Sequence, residues 1–163
     1  MKREDHELGL AEMADVGLTK PHRQTVNVVM VDDEEALCSG VRRIIERYTV
    51  HVPDVQIDVD YRFEFCTSGE DFLDRLAAGL ECDLLLLDLK LPGLGGLDVL
   101  EELSRQKRDV LTIVVTAYAT FETAVKATKI GAYDFLAKPF SPDELRYSTR
   151  KATSQIILSR LAR

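Results

Sequence analysis

Cysteine is scarce in this 163-residue chain and badly spaced for chemistry: Cys38, Cys66 and Cys82 are an odd number with no CxxC or Cys/His pattern. Neither a disulfide framework nor a zinc site is indicated, which fits a reducing compartment. Long apolar runs are missing too. Met1-Lys2-Arg3-Glu4-Asp5-His6 has no apolar signal core, and no stretch approaches the ~20 apolar residues needed to cross a bilayer. The expectation is a cytoplasmic chain without a membrane partner. Histidine is limited to His6, His22 and His51, which lie outside the patterned segments and should be solvated, and no Ser/His/Asp arrangement is visible. Gly93, Gly95 and Gly96 do not form GxGxxG where a dinucleotide site needs it, and there is no GxxxxGK[ST]. Positive charge is in deficit: the net charge of −7 argues against whole-domain binding to a polyanion, so nucleic acid is not an expected partner. Repeats and low-complexity segments are absent.

What remains is a globular composition, 45% hydrophobic and 30% charged, at a length that suits one well-buried domain. Residues 1–24 are polar and weakly patterned and read as an N-terminal tail. From Val26 onward strand-like and helix-like segments alternate, the signature of a parallel α/β sheet. Strands are placed at Val26–Val31, Val59–Phe65, Asp83–Leu87, Leu111–Val115 and Tyr133–Leu136. The intervening helices run from Asp32 or Asp33 to about Arg47, over Ser68–Ala78, about Gly96–Arg105 and Phe121–Ile130. A last helix opens at Ser141-Pro142-Asp143-Glu144, where Ser141 can cap, Pro142 suits the first turn and Glu144 completes a capping box. The stretch Tyr48–Asp58 is longer than a tight loop needs and is expected to be irregular.

Four strand exits carry chemistry. Asp88 ends the run Leu84-Leu85-Leu86-Leu87, Asp32 and Asp33 follow Val31, Thr116 follows Val115, and Lys138 follows the last strand. Each has a plain alternative: Asp32 as a helix cap with Glu35 as its partner, Asp88 as a turn residue before Pro92-Gly93, Thr116 as a β-branched strand end, Lys138 as a surface lysine. Those readings do not explain why all four fall at strand exits, where open α/β sheets bind ligands. Three neighbouring carboxylates repel unless a cation sits among them, and an all-oxygen set suits Mg²⁺ or Mn²⁺. A lysine and a hydroxyl beside such a metal match what a phosphoryl group requires. Carboxylates can themselves form aspartyl-phosphates, and Asp88, central in the set, is the candidate nucleophile.

On Val31-Asp32-Asp33-Glu34-Glu35, Leu87-Asp88-Leu89-Lys90-Leu91-Pro92-Gly93, Val115-Thr116-Ala117 and Gly131 through Phe140, the chain resembles the receiver domains of two-component response regulators. The last two segments are most similar to the nitrogen-regulatory type that precedes ATPase activators. The resemblance implies a flavodoxin-like (βα)5 three-layer sandwich with a five-stranded parallel sheet in the order 2-1-3-4-5. It implies a receiver over residues 25–152 and an extension or linker over 153–163 that lengthens the last helix. Asp88 would accept phosphate from a histidine kinase or phosphotransfer protein, and Asp33 and Asp88 would bind Mg²⁺ directly, Asp32 through water and Lys90 through its backbone carbonyl, its side chain left free. Thr116 and Lys138 would contact phosphoryl oxygens, and the Lys138–Pro139 peptide would be cis. Thr116 and Phe135 would form the switch, altering the face of the fourth helix, fifth strand and fifth helix. Such a domain is not an enzyme in the usual sense: it phosphorylates itself with Mg²⁺ and dephosphorylates slowly.

Two positions depart from the family pattern. Phe135 replaces a common tyrosine and so keeps only the packing half of the switch, and Gly95 stands where Asp or Asn is common, loosening the loop after Asp88. Lys90 and Tyr118 sit where family members tune phosphate lifetime by controlling water access. Arg146–Arg163 contains five basic residues and no acid, with Ile156, Ile157, Leu158 and Leu161 extending beyond the usual receiver. That points to a homodimerisation helix or linker, and too few residues follow Lys138 for a DNA-reading module. Two other function classes compete: a phosphate-independent adaptor that keeps the fold, and a Mg²⁺-dependent hydrolase, which Lys90 disfavours by occupying the second acid position of the DxD pair.

Overall fold

Residues 22–163 are described by the computed structural model. The expected tail lies outside them up to residue 21, and its last two residues belong to the first strand. β1 (Arg23–Val31) starts exposed and becomes buried along Val28–Val31, as expected of a central strand covered by helices on both faces. α1 (Glu35–Glu46) buries a stripe of Cys38, Val41 and Ile45, spaced by three and four residues on one helical face. β2 (Val50–Val52), β3 (Ile57–Cys66), α2 (Gly69–Ala77), β4 (Leu84–Leu87), α3 (Gly96–Arg105), β5 (Leu111–Thr116), α4 (Phe121–Ile130), β6 (Asp134–Ala137) and α5 (Pro142–Leu161) follow.

The sheet order is β2-β3-β1-β4-β5-β6. The five strands from β3 to β6 are parallel and reproduce the expected 2-1-3-4-5 order. The sixth is a correction. The stretch read as an irregular loop turns back as an edge strand, with Val50 opposite Val59 and Val52 opposite Ile57 in an antiparallel pair. Val50 and Val52 are buried while His51 faces outward and meets the Asp58 carboxylate at 2.7 Å. Three alternating residues are too few to separate a strand from a loop by period.

Alternate strand residues point into two cores. Val28, Met30, Leu84, Leu86, Ile113 and Val115 pack beneath α1 and α5. Val29, Val31, Leu85, Leu87 and Val114 pack beneath α2, α3 and α4. The long last helix begins as the sequence pattern predicts: Ser141 Oγ accepts from the Glu144 N–H at 3.1 Å, and Glu144 accepts from the Ser141 N–H at 3.3 Å. Residue 153 marks no break in it. Ile157 is fully buried and Ile156 packs on the same core. Arg160 donates to Gln24 at 3.0 Å and to the Thr25 carbonyl at 3.1 Å, and lies 3.1 Å from Asp83. Part of the apolar surface expected to need a partner is thus covered by the chain itself, leaving Leu158 and Leu161 exposed.

Behind the β4 exit, the Gly96 N–H donates to the Leu89 carbonyl at 2.9 Å, and a Cβ on Gly96 would stand 2.7 Å from the Leu89 Cα. Gly96→Ala must therefore push α3 off the loop carrying Asp88. We expect a loss of about 1–3 kcal/mol, the usual cost of overpacking, in urea unfolding; an unchanged midpoint would contradict the contact. Burial pushes the Cys38 thiol up to about 12 and the Cys66 thiol up to about 11, so both stay un-ionised at neutral pH, and the thiolate is the reactive form. Iodoacetamide should label Cys38 and Cys66 in denaturant but not in native buffer, as peptide mass spectrometry would show.

Candidate functional site

The strand exits are tied together by backbone bonds that continue past the strands. The Asp32 N–H donates to the Cys66 carbonyl at 3.1 Å, the Asp88 N–H to Val31 at 3.0 Å, and the Lys138 N–H to Thr116 at 2.9 Å. Val31 pairs with Leu87, so Asp32 and Asp88 stand level on neighbouring strands. One carboxylate oxygen from each of Asp32, Asp33 and Asp88 lies within 4.8 Å of the others. Asp32 is fully buried, Asp88 is 6% exposed and Asp33 faces solvent.

Lys138 is the cation that makes this clustering tolerable. Its Nζ donates to Asp32 Oδ2 at 2.6 Å and to Asp88 Oδ2 at 3.1 Å, and stands 3.7 Å from Glu34 Oε1. Burial holds the Asp32 carboxyl above its ordinary range, with the Lys138 ammonium and the Glu34 N–H pulling back. Burial would likewise discharge Lys138, but the bonds to Asp32 and Asp88 outweigh it and hold the ammonium above its usual value. One ammonium facing four carboxylates leaves a negative excess. An oxygen-only donor set with that excess, part buried and part open to water, fits Mg²⁺ or Mn²⁺ and not a soft metal.

The acids open into a cleft of about 490 Å³ lined by Asp33, Glu34, Asp88, Lys90, Tyr118 and Lys138 among others. Asp32 does not cap α1. The helix begins at Glu35, and Asp32 Oδ1 accepts from the Glu34 N–H at 2.9 Å, which holds residues 32–34 outside the helix, with Asp33 and Glu34 in the cleft wall and Asp32 buried behind them. Thr116 is buried at the end of β5, its hydroxyl oxygen accepting from the Tyr118 N–H at 3.2 Å. Phe135 is half-buried and packs against the core under α4. The Lys138–Pro139 peptide is cis. The Lys90 backbone N–H donates to Asp88 Oδ1 at 3.3 Å.

The Lys90 side chain differs from the expectation that it is free. Its Nζ donates to the Tyr118 hydroxyl at 2.6 Å and lies 4.9 Å from the ring centroid, because Tyr118 presents a half-exposed ring and a polar tip to a cation beside it. Glu34 is a site residue that sequence reasoning missed; its only signal was adjacency to the acid pair. Glu70 was missed as well. It reaches from α2 to accept the Leu94 N–H at 2.6 Å and braces the loop after Asp88.

Comparison with known proteins places the chain. The family profile described as the response regulator receiver domain matches residues 28–150. The alginate biosynthesis transcriptional regulatory protein AlgB of Pseudomonas syringae pv. tomato is 36% identical over 124 residues, 76% of this chain and 25% of that protein. The response regulator UvrY of Escherichia coli O6:H1 is 29% identical over 129 residues, 79% of this chain and 55% of that protein. Among solved structures, NtrX from Brucella abortus, crystallised in complex with ADP, superposes with a TM-score of 0.68 at 26% identity, over 85% of this chain and 29% of that one. A CheY-like receiver domain protein from Methanospirillum hungatei JF-1 superposes at 0.71 with 23% identity, over 83% and 99%, and shows the fold. The chain spans about a quarter of the length of AlgB. No helix among the described residues is long and apolar enough to cross a membrane. With the receiver profile covering the strands, the acids and the lysine alike, the chain belongs to the response regulator receiver domain family.

Proposed function

We propose that this chain is a phosphorylation-activated switch that takes a phosphoryl group onto Asp88 from a phosphohistidine of a partner kinase or phosphotransfer protein. The observation that carries this reading is the convergence of Asp32, Asp33 and Asp88 within 4.8 Å, with Lys138 Nζ 3.1 Å from Asp88. A carboxylate oxygen of Asp88 attacks phosphorus, the bond from phosphorus to the donor's imidazole nitrogen breaks, and that nitrogen keeps the electron pair. Asp33 and Asp88 would hold Mg²⁺, with Asp32 acting mainly through water and Lys90 offering its backbone carbonyl. The metal supplies positive charge against the phosphoryl oxygens.

The residues already in place do the rest. Lys138 releases its hold on Asp88 Oδ2 and pairs with a phosphoryl oxygen, remaining anchored to Asp32. Thr116 leaves the Tyr118 N–H to hydrogen-bond a second phosphoryl oxygen, and Phe135 turns into the space vacated. The change is read on the surface formed by α4, β6 and α5. Lys90 and Tyr118, bonded across the cleft mouth, limit the approach of water and so set how long the phosphoryl group lasts.

Two outcomes test this. Acetyl phosphate with Mg²⁺ should add one phosphoryl group to the intact chain, detected by mass spectrometry, and Asp88→Asn should abolish the addition; labelling that survives the substitution would remove Asp88 as acceptor. Asp33 is exposed and carries no ion pair among the described residues, so Asp33→Asn should leave the unfolding midpoint in EDTA unchanged or raised by relieved repulsion. The same variant should weaken Mg²⁺ binding, followed by calorimetric titration, by about tenfold or more, equivalent to ~1.4 kcal/mol or more. Undiminished affinity would take Asp33 out of the metal site.

A further inference from the structure

One carboxylate joins the last strand to the last helix. Asp134 opens β6 immediately before Phe135, and its Oδ1 accepts from the Phe135 N–H at 2.8 Å. Its Oδ2 accepts from Ser148 Oγ at 2.7 Å and lies 3.1 Å from Lys151 Nζ, both on α5. Burial alone would push this carboxyl up, but the bonds from Ser148, the Phe135 N–H and Lys151 prevail and hold it below its ordinary value. Three donors on one ionised carboxylate fix the helix to the strand at the residue next to the switch aromatic.

The helix face held in this way is poor in interlocking side chains. Leu145 and Ile157 are fully buried at either end of it, but between them the buried positions are Ser148, Thr149, Ala152 and Thr153, where a long amphipathic helix usually buries larger apolar residues. Thr153 Oγ1 donates to the Thr149 carbonyl at 2.7 Å and receives the Tyr61 hydroxyl at 2.6 Å, while the Thr149 hydroxyl is buried without a hydrogen-bond partner among the described residues. Large side chains lock helices by filling one another's gaps, and small ones leave position to directional bonds. The lower end of α5 is held separately, by Arg160 on Asp83, Gln24 and Thr25. Between the packed ends at Leu145 and Ile157, the middle of the helix takes its directional contacts from Asp134 and Tyr61.

We infer that Asp134 is a positioning residue that transmits the state of Phe135 to α5, so that the last helix shifts on its small hydroxylated face when the aromatic moves. This deepens the proposed function and rests on Asp88 being the phosphoacceptor. The route is continuous: the Lys138 N–H is bonded to the Thr116 carbonyl, Thr116 pairs with Ala137 in the sheet register, and Phe135 and Asp134 follow on the same strand. A displacement of the β6 backbone that accompanies the turning of Phe135, drawn through its pairing with β5 at Thr116, moves the N–H that Asp134 accepts, and with it the anchors of Ser148 and Lys151. Lys151 also lies 5.3 Å from the ring centroid of the exposed Tyr147, so the displacement reaches the surface there.

Hydrogen–deuterium exchange on the full chain, with and without Mg²⁺ and acetyl phosphate, tests this. Wild type should show a phosphorylation-dependent change in exchange across peptides covering 145–158. Asp134→Asn should accept phosphate on Asp88 to the wild-type extent and lose that α5 change. Lys151 is partly exposed; Lys151→Met should diminish the response, and Lys151→Arg, which keeps the charge, should retain it. A full α5 response in both Asp134→Asn and Lys151→Met, with Asp88 phosphorylated, would overturn the inference while leaving the phosphoacceptor reading intact. Failure of wild type to be phosphorylated at all would overturn both, and the mass measurement on the same samples separates the two results.

Discussion

The Lys138 ammonium bridging Asp32 and Asp88 is the interaction on which the rest of the molecule depends. A carboxylate as buried as Asp32 is costly unless paired, and pairing it from a different strand requires β1, β4 and β6 to end in the same place. The parallel register supplies this: Val31 stands beside Leu87, Leu87 beside Val114, and Thr116 beside Ala137, so residues far apart in sequence leave the sheet together. The bridge is also incomplete. One lysine cannot neutralise Asp32, Asp33, Glu34 and Asp88, and in the proposed function that excess would draw a hard divalent cation and, behind it, a phosphoryl group. Incomplete neutralisation by Lys138 is therefore the feature on which the proposed binding chemistry rests.

Much of this was legible in the sequence, for a physical reason. Strands buried on both faces must be apolar at every position, so Leu84–Leu87 and Val28–Val31 stand out from their surroundings, and a carboxylate directly after such a run is conspicuous. The Ser141-Pro142-Asp143-Glu144 start of α5 could be read because capping chemistry is local. What could not be read depended on non-local partners. Val50–Val52 becomes a strand only because Ile57–Val59 of β3 offer a free edge on the side away from β1. Lys90 binds Tyr118 across two strand exits, Glu34 joins the cluster through Lys138, and Ile156 and Ile157 find cover on their own sheet, none of which leaves a periodic trace. Asp32 looked like a helix cap because a cap and a site carboxylate share the same local pattern; the ammonium from residue 138 makes the difference.

The two ends of the sheet divide the labour. At the carboxyl ends, acids are crowded around one ammonium, that of Lys138. At the opposite end, Arg160 clamps the last helix to β1 and to Asp83 just before β4, so the helix is held there by ion pairing and nearer the site by Leu145 and the bonds to Asp134. The small hydroxylated stretch of α5 between Leu145 and Ile157 is where the proposed coupling through Asp134 would act. Stability is concentrated where the apolar residues lie, in the two cores on either side of β1 and β4, and the site occupies the rim where those cores end.

The central claim is that the carboxylates of β1 and β4 form one cation site with Lys138 beside it. Its most direct measurement is a crystal of the chain soaked in Mn²⁺ and recorded at the manganese absorption edge. The account predicts one strong anomalous peak in the cleft, ligated by Asp33 and Asp88 and by the Lys90 carbonyl, with Lys138 adjacent and not coordinating. A fully occupied peak bound elsewhere, or Asp33 and Asp88 turned away from each other with no peak between them, would contradict it.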